Sequence, residues 1–202
     1  MWCVVGTCKG KKTVALPETL ERFEITNEAM LWDWLDHNHA RDDGVALFTW
    51  KAAHRDKYVG RAAVLDALVA YGWIDGRRYV VDADRTAQLI TPRRAQHWAK
   101  SYKDRAEALI QSGRMKAPGL ATIERGKKSG LWDFMADVDA LIVPHDLNLA
   151  LGPDRSTWDG FAPSYRRNVL RWIKLAKSET TRSNRILETV KATIARQKIP
   201  QM

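Results

Sequence analysis

Cysteine is scarce in this sequence. Cys3 and Cys8 are the only two cysteines, and a disulfide between them would close only a short terminal loop. A zinc site would need two further ligands close by, and the first residues of the chain supply none. The cysteine content therefore predicts reduced, incidental thiols in a protein of a reducing compartment.

Long apolar runs are also lacking. No stretch reaches the roughly 18–20 apolar residues that a membrane-spanning helix needs. The N-terminal sequence MWCVVGTCKGKK carries its lysines after a short apolar stretch, whereas a secretory signal has them before a longer one. We therefore expect a cytoplasmic protein without a membrane span.

The common catalytic motifs are missing as well. The sequence contains no Walker loop, G-x-G-x-x-G, H-E-x-x-H or G-x-S-x-G pattern. The run WLDHNHARDD at 34–43 holds histidines and aspartates, but His37 and His39 are two residues apart and point in different directions on a helix. These observations favour a protein without a metal or cofactor, and a binding role over an enzymatic one.

Basic residues are plentiful. The 202 residues carry a formal net charge of +9, and 45% of them are apolar, including nine tryptophans. Such a composition is typical of a packed globular protein with affinity for polyanions or small anionic ligands. Composition alone does not distinguish a protein that binds nucleic acid from one that binds a small anionic ligand.

The apolar periodicity predicts an α+β fold. A small antiparallel sheet is expected from strands at 44–51, 73–81 and 86–91, the last two forming a hairpin. Helices are predicted at 27–38, 61–71, 94–112, 118–129, 145–151, 164–177 and 179–197. Gly152-Pro153 is the predicted boundary, which gives an irregular lead-in (1–22), an α+β core domain (23–152) and a helical C-terminal subdomain (153–202).

One group of cations suggests an anion pocket. Arg93 and Arg94 precede a predicted helix, where guanidinium groups and free backbone amides together favour an anion. Arg78 lies on the hairpin, and Asp75 in the stretch YGWIDGRRY is expected either to orient these arginines or to form a structural ion pair with them. Trp73 and Trp98 are the predicted walls of the pocket.

Several motifs in order resemble one known family. The segments WLDHNHARDDGVALF, ALVAYGWIDG, ITPRR, HWAK and ALIQSGRMKAPGL, followed by WDGFAPSYRRNVLRWIKLAKSETTRSNRI, are similar to the YdeI/OmpD-associated family, often labelled bacteriocin-protection protein. The resemblance extends over about residues 23–198. It implies a link to envelope stress or antimicrobial-peptide protection and no settled biochemical activity.

The tail of the chain carries a family motif of the form A-K-x-x-T-R-x-x-R-I. Its counterparts here are Lys177, Arg182 and Arg185, with one extra residue in the spacing, and these side chains are expected to close over the anion pocket. The sequence departs from the family pattern at Ala70 and Tyr71, where the family has cysteine and phenylalanine, and this excludes a thiol role there.

Two other functions stay open. A nucleic-acid-binding module would use the basic helix face of Arg167, Arg171 and Lys174 on phosphates, with tryptophans stacking on bases. An enzyme with an unrecognised site would pair Asp75 with a histidine as acid and base. The candidate histidines are His37, His39 and His97.

Overall fold

The structure is a computed structural model that describes residues 16–200. The chain forms two compact units. The first takes the residues up to Gln96 together with Ser101–Arg125, and the second takes His97–Lys100 and the chain from Gly126 onward. The predicted boundary at residues 152–153 lies within the second unit. Of the predicted lead-in at 1–22, residues 1–15 lie outside the described residues, and Glu21 and Arg22 belong to a strand.

The first unit is built on a four-stranded mixed sheet. Its strands are β1 (Glu21–Glu24), β2 (Val45–Trp50), β3 (Trp73–Val80) and β4 (Arg85–Pro92), in the order β1-β2-β4-β3. The predicted hairpin of β3 and β4 is confirmed, and β2 pairs antiparallel with β4 as expected. Strand β1 was not predicted, because four residues with two exposed charges show little alternation; it adds a parallel edge to the sheet.

Helices of the first unit cover one face of this sheet. They are α1 (Glu28–Asn38), α2 (Arg61–Ala70), α3 (Lys100–Gln111) and α4 (Ala117–Lys128), of which Lys100 and residues 126–128 belong to the second unit. Asn27 caps α1, since its side chain accepts a hydrogen bond of 3.0 Å from the amide of Met30. Gly72 ends α2 with a positive φ of 75°, which is the left-handed conformation that glycine adopts without strain. The helix predicted at 94–112 begins later, at Lys100, because residues 93–99 are irregular.

The two faces of the sheet differ in their neighbours. Val45, Leu47 and Ile90 lie on the face covered by helices and are fully buried. Ala46, Phe48, Tyr79 and Ala87 form a smaller apolar cluster on the opposite face, against which Leu16 and Leu20 pack. The alternation of side chains along each strand therefore separates a main core from a secondary one.

The second unit is helical. Its elements are α5 (Ala136–Asp139), α6 (His145–Leu151), a 3₁₀ turn (Gly152–Asp154), α7 (Arg155–Asp159), α8 (Pro163–Lys174) and α9 (Glu179–Ile194). A buried cluster that includes Leu147, Trp158, Val169 and Ile173 forms its core. The predicted helix at 145–151 is confirmed with the same bounds, and those at 164–177 and 179–197 are confirmed with shorter C-terminal ends. Helices α5 and α7 were missed because each is about one turn long.

The architecture confirms the predicted α+β class. Within residues 16–200, no helix is both long and apolar enough to cross a membrane.

Candidate functional site

A β-bulge in β3 determines which polar side chains meet at the edge of the sheet. Asp75 pairs with Ile90 and Arg78 pairs with Gln88, so β3 advances three residues while β4 advances two. In a regular strand, residues three apart point to opposite faces. The bulge at Gly76 and Arg77 cancels this alternation and brings Asp75 and Arg78 to the helix-covered face.

Asp75 is the centre of a polar cluster on that face. Its side chain is only 8% exposed, and its carboxylate accepts hydrogen bonds from Tyr102 Oη and from Gln88 Nε2, the latter at 2.8 Å. Arg61 at the start of α2 lies at its rim, with Nη2 3.5 Å from Asp75 Oδ2. We call Arg61, Asp75, Arg78, Gln88, Arg93 and Tyr102 the Asp75 cluster.

Arg93 contributes a buried cation to the Asp75 cluster. Only 3% of the residue is exposed, and its guanidinium carbon lies 5.0 Å from the centroid of the Tyr102 ring. Its amide donates to the carbonyl of Gly72 at 2.9 Å, which holds the chain after β4 against the end of α2. Burial lowers the pKa of Arg93 to about 10, so that the guanidinium stays charged at neutral pH.

Tyr102 donates a hydrogen bond to the central carboxylate of the cluster. Burial, followed by the hydrogen bond to Asp75, raises the pKa of Tyr102 to about 12. The phenol is therefore protonated at neutral pH and acts as a fixed donor to the carboxylate. Asp75 is thereby positioned by neighbours on β4 and α3 rather than by the arginines alone.

The rim of the Asp75 cluster is cationic. Arg61 has a side chain that is 65% exposed, and Arg78 is also exposed and donates to Gln88 Oε1 at 3.3 Å. With Arg93, three guanidinium groups stand around one carboxylate. The cluster can therefore attract an anion to its exposed rim while its buried part stays fixed.

Two further predicted residues of the first unit have separate partners. Trp73 is 1% exposed, donates from Nε1 to the carbonyl of His39 at 3.1 Å, and meets the Trp34 ring edge-on at 5.5 Å. Arg94 reaches Asp42, donating to its carbonyl at 2.9 Å. Trp73 is thus a core residue, and Arg94 fixes the loop before β2.

The remaining predicted residues belong to the second unit. Trp98 is buried with its ring 4.9 Å from that of Trp132, and it lies so close to Gly126 that a Cβ there would approach Trp98 Nε1 to 2.6 Å. Lys177 is exposed. The nine predicted residues are divided between the two units, and the predicted closure of the tail side chains over the anion pocket stays a prediction.

Arg182 and Arg185 of the tail motif both have local partners. Arg182 forms a two-pronged contact with Asp146, from Nε at 2.7 Å and from Nη2 at 2.9 Å. Hydrogen bonds from Arg182 hold the pKa of Asp146 below its ordinary value. Arg185 donates to the carbonyl of Trp172 and lies over its ring, 5.0 Å from the centroid. The motif therefore joins α9 to α6 and to the end of α8.

The rings of the described tryptophans are buried or partly covered by cations. Trp73, Trp98 and Trp158 are buried. The other described tryptophans are half-buried, and each has a lysine or arginine over one face of its ring. The pairs are Trp32 with Arg114, Trp34 with Arg41, Trp50 with Lys57, Trp132 with Lys127, and Trp172 with Arg185. Cation–π contacts thus reduce the ring surface that stacking on bases would use.

Two of the three histidines considered for metal binding or catalysis, His37 and His39, have backbone partners. His37 Nδ1 lies 2.8 Å from the carbonyl oxygen of Asp33, and His39 Nδ1 lies 3.2 Å from that of Leu35. Among residues 16–200, no group of three or more His, Cys, Asp or Glu side chains is arranged to hold a metal ion. Both ring contacts are typical of helix ends.

Sequence reasoning missed three members of the Asp75 cluster. Gln88 has one signal in the sequence, since it is a polar residue between the apolar Ala87 and Leu89 in the middle of β4. Tyr102 and Arg61 have none, because their roles depend on how α3 and α2 pack beside the sheet.

Two known families match separate parts of the chain. Residues 140–195 match the family described as Bacteriocin-protection, YdeI or OmpD-Associated. The resemblance is therefore confirmed, over a shorter stretch than the residues 23–198 expected for it. Residues 23–122 match a different family, a domain of unknown function (DUF8412). No curated protein and no solved structure matched the chain.

Proposed function

We propose that this chain is a non-enzymatic binding protein that holds a small anion at the exposed rim of the Asp75 cluster. The observation that carries the proposal is the arrangement of its charges. Arg93 and Asp75 are buried, whereas Arg61 and Arg78 present exposed guanidinium groups beside them.

The buried part of the cluster supports the rim. Buried charges are costly unless they are paired and hydrogen-bonded, and Asp75 meets this condition through Tyr102 and Gln88. The carboxylate therefore stays with its donors when a ligand arrives. Arg61 and Arg78 each keep N–H groups that face solvent, and a guanidinium fork suits phosphate or carboxylate oxygens.

The family description suggests a cellular setting for this binding. It reads "Bacteriocin-protection, YdeI or OmpD-Associated". We place the anion site in the cytoplasm as part of the proposal, which makes a link to outer-membrane phenotypes indirect. Fractionation of cells that express the chain tests this location.

Calorimetric titration with inorganic phosphate and with citrate tests the anion site. Arg61→Gln combined with Arg78→Gln is expected to weaken binding by about tenfold or more, because each lost charge-assisted hydrogen bond contributes about 1.5 kcal/mol or more. The control is Arg171→Gln, which removes the same charge from an exposed residue of α8. Titrations at about 0.05 and 0.3 M salt separate a formed site from general attraction.

Two results would contradict the proposal. One is unchanged affinity in the double variant. The other is an equal loss in Arg171→Gln, which would mean that the anion responds to net charge and not to the Asp75 cluster.

A further inference from the structure

A second concave surface lies on the first unit, away from the residues of the Asp75 cluster. It is a groove of about 570 Å³ lined by residues of α1 and of the turn between α3 and α4. We call it the α1 groove, and its lining residues are Glu28, Ala29, Trp32, Gly113, Arg114 and Lys116. Its volume is within the range of small-molecule sites.

The turn after α3 brings the basic residues to α1. Gly113 has a φ of 69°, in the left-handed region, and this ends α3 and redirects the chain. The amide of Lys116 then donates to the carbonyl of Ala70 at 3.2 Å, which fixes the turn against the end of α2. Both ends of this short segment are therefore held by backbone contacts.

Trp32 forms a rigid aromatic wall of the α1 groove. Its Nε1 donates to Glu28 Oε1 at 3.0 Å, and its ring meets that of Tyr71 edge-on at 5.8 Å. The guanidinium of Arg114 lies 4.8 Å from the centroid of its ring. Because these contacts fix the indole, it needs no rearrangement to receive a flat apolar group.

The charge of the α1 groove is positive. Arg114 neutralises Glu28 through a contact of 2.5 Å, and Asp66, 3.9 Å from Arg114, pairs with Arg105. Lys116 is exposed and forms no ion pair within residues 16–200. Lys116 therefore supplies an uncompensated positive charge beside the Trp32 ring.

We propose that the α1 groove binds a small aromatic carboxylate. The aromatic part packs beside Trp32 and Ala29, and the carboxylate pairs with Lys116. The groove shares no residue with the Asp75 cluster, so this site and the anion site proposed above can fail independently.

The test uses 1-naphthoate as the probe and 1-naphthalenemethanol as its neutral counterpart. Calorimetry and the indole N–H resonance of Trp32, assigned with Trp32→Phe, report binding to the full chain. Naphthoate is expected to bind with an affinity at least about tenfold higher than the alcohol, because only the acid can pair with Lys116.

Two variants at exposed positions leave the fold intact. Lys116→Gln is expected to weaken naphthoate binding about fivefold or more, whereas the control Lys191→Gln, at an exposed residue of α9, changes nothing. Ala29→Glu adds a carboxylate to the groove and is expected to abolish naphthoate binding. The introduced glutamate is compatible with the helical conformation of α1, because acidic residues in the first turn stabilise a helix.

Equal affinities for the acid and the alcohol would overturn the proposal, since the groove would then be only apolar. Unchanged naphthoate binding in both Lys116→Gln and Ala29→Glu would also overturn it. The double variant at Arg61 and Arg78 is expected to keep full naphthoate binding, which separates this result from the outcome at the Asp75 cluster.

Discussion

At the scale of single residues, Asp75 shows how a buried carboxylate is provided with partners. Its two oxygens are engaged by a phenol and an amide, and Arg93 and Arg61 supply nearby positive charge. Burying a carboxylate without such partners is costly. The donors Tyr102 and Gln88 are therefore as important to the site as the charges are.

The phenol of Tyr102 provides a test at this scale. The pKa values of Tyr102 and Tyr71 are both raised to about 12, in each case first by burial and then by a hydrogen bond to an aspartate. The ordinary value is about 10. The contribution of these groups to stability is therefore fully present below about pH 10 and is lost as the pH rises through about 12.

Titration of tyrosinate absorbance is expected to show late ionisation of two of the five tyrosines. Tyr102→Phe should remove one late step and lower the free energy of unfolding at neutral pH by about 1–3 kcal/mol, because Asp75 loses a donor. Tyr58→Phe, at a residue that is 48% exposed, is the control and should leave the late steps unchanged. An unchanged late step in Tyr102→Phe would show that the phenol is not held as described.

At the scale of elements, the family motif acts as an anchor for α9. Ser178 caps the helix by accepting from the amide of Thr181 at 3.2 Å, and Arg182 and Arg185 then join it to α6 and α8. A motif that recurs in a family is easily interpreted as a ligand site. Here its arginines meet carboxylate and carbonyl oxygens of the same unit.

Arg182→Gln tests the anchor. It is expected to lower the free energy of unfolding by about 1 kcal/mol at neutral pH, a modest value because the Asp146 side chain is 41% exposed. The pKa of Asp146 is lowered in the folded state, so the contribution is present above its unfolded value of about 3.9 and is lost as the pH falls through the folded value.

Denaturant unfolding of Arg182→Gln, Asp146→Asn and the double variant measures the coupling. The double variant should be no less stable than either single variant, and the effect of Arg182→Gln should decrease as the pH falls below the ordinary aspartate pKa of about 3.9. Additive losses would show that the two side chains act separately.

At the scale of the whole molecule, the net charge of +9 favours binding to nucleic acid, whereas the covered tryptophans disfavour base stacking. The net charge favours attraction to any polyanion. Among residues 16–200, the indole rings are buried or have a cation over one face. Attraction without stacking is expected to give binding that depends on charge alone.

Duplex DNA is therefore expected to bind weakly, with an affinity that falls steeply between about 0.05 and 0.2 M salt. Tryptophan emission should stay unchanged on binding. Anisotropy of a labelled duplex, with heparin as a polyanion of unrelated shape, gives the comparison. Binding that persists at the higher salt and quenches tryptophan would favour a nucleic-acid-binding module instead.

The sequence predicts the local elements of this molecule better than the contacts between them. The hairpin of β3 and β4 and the helices α1, α2, α8 and α9 follow from periodicity and from glycine stops. The partner of Arg182 is Asp146, 36 residues away, and no local pattern joins them. Distant pairs of this kind form only when elements pack.

The Asp75 cluster is a second example of contacts that local sequence patterns do not predict. Asp75, Arg78 and Arg93 were selected for their residue types, and the structure brings all three into one cluster. Simple alternation would have separated Asp75 from Arg78, since a bulge has no reliable signature in one sequence. Gln88 and Tyr102 complete the cluster from elements that sequence spacing could not place beside it.

The bulge in β3 also determines what the loss of a residue would do to this strand. Losing Gly76 or Arg77 would place Asp75 and Arg78 two residues apart, and simple alternation would then keep both side chains on the helix-covered face. Such a deletion would remove the bulge without changing which residues of β4 lie opposite Asp75 and Arg78. Descendants of this chain can therefore lose the bulge by a single deletion and still keep the two side chains of the cluster together.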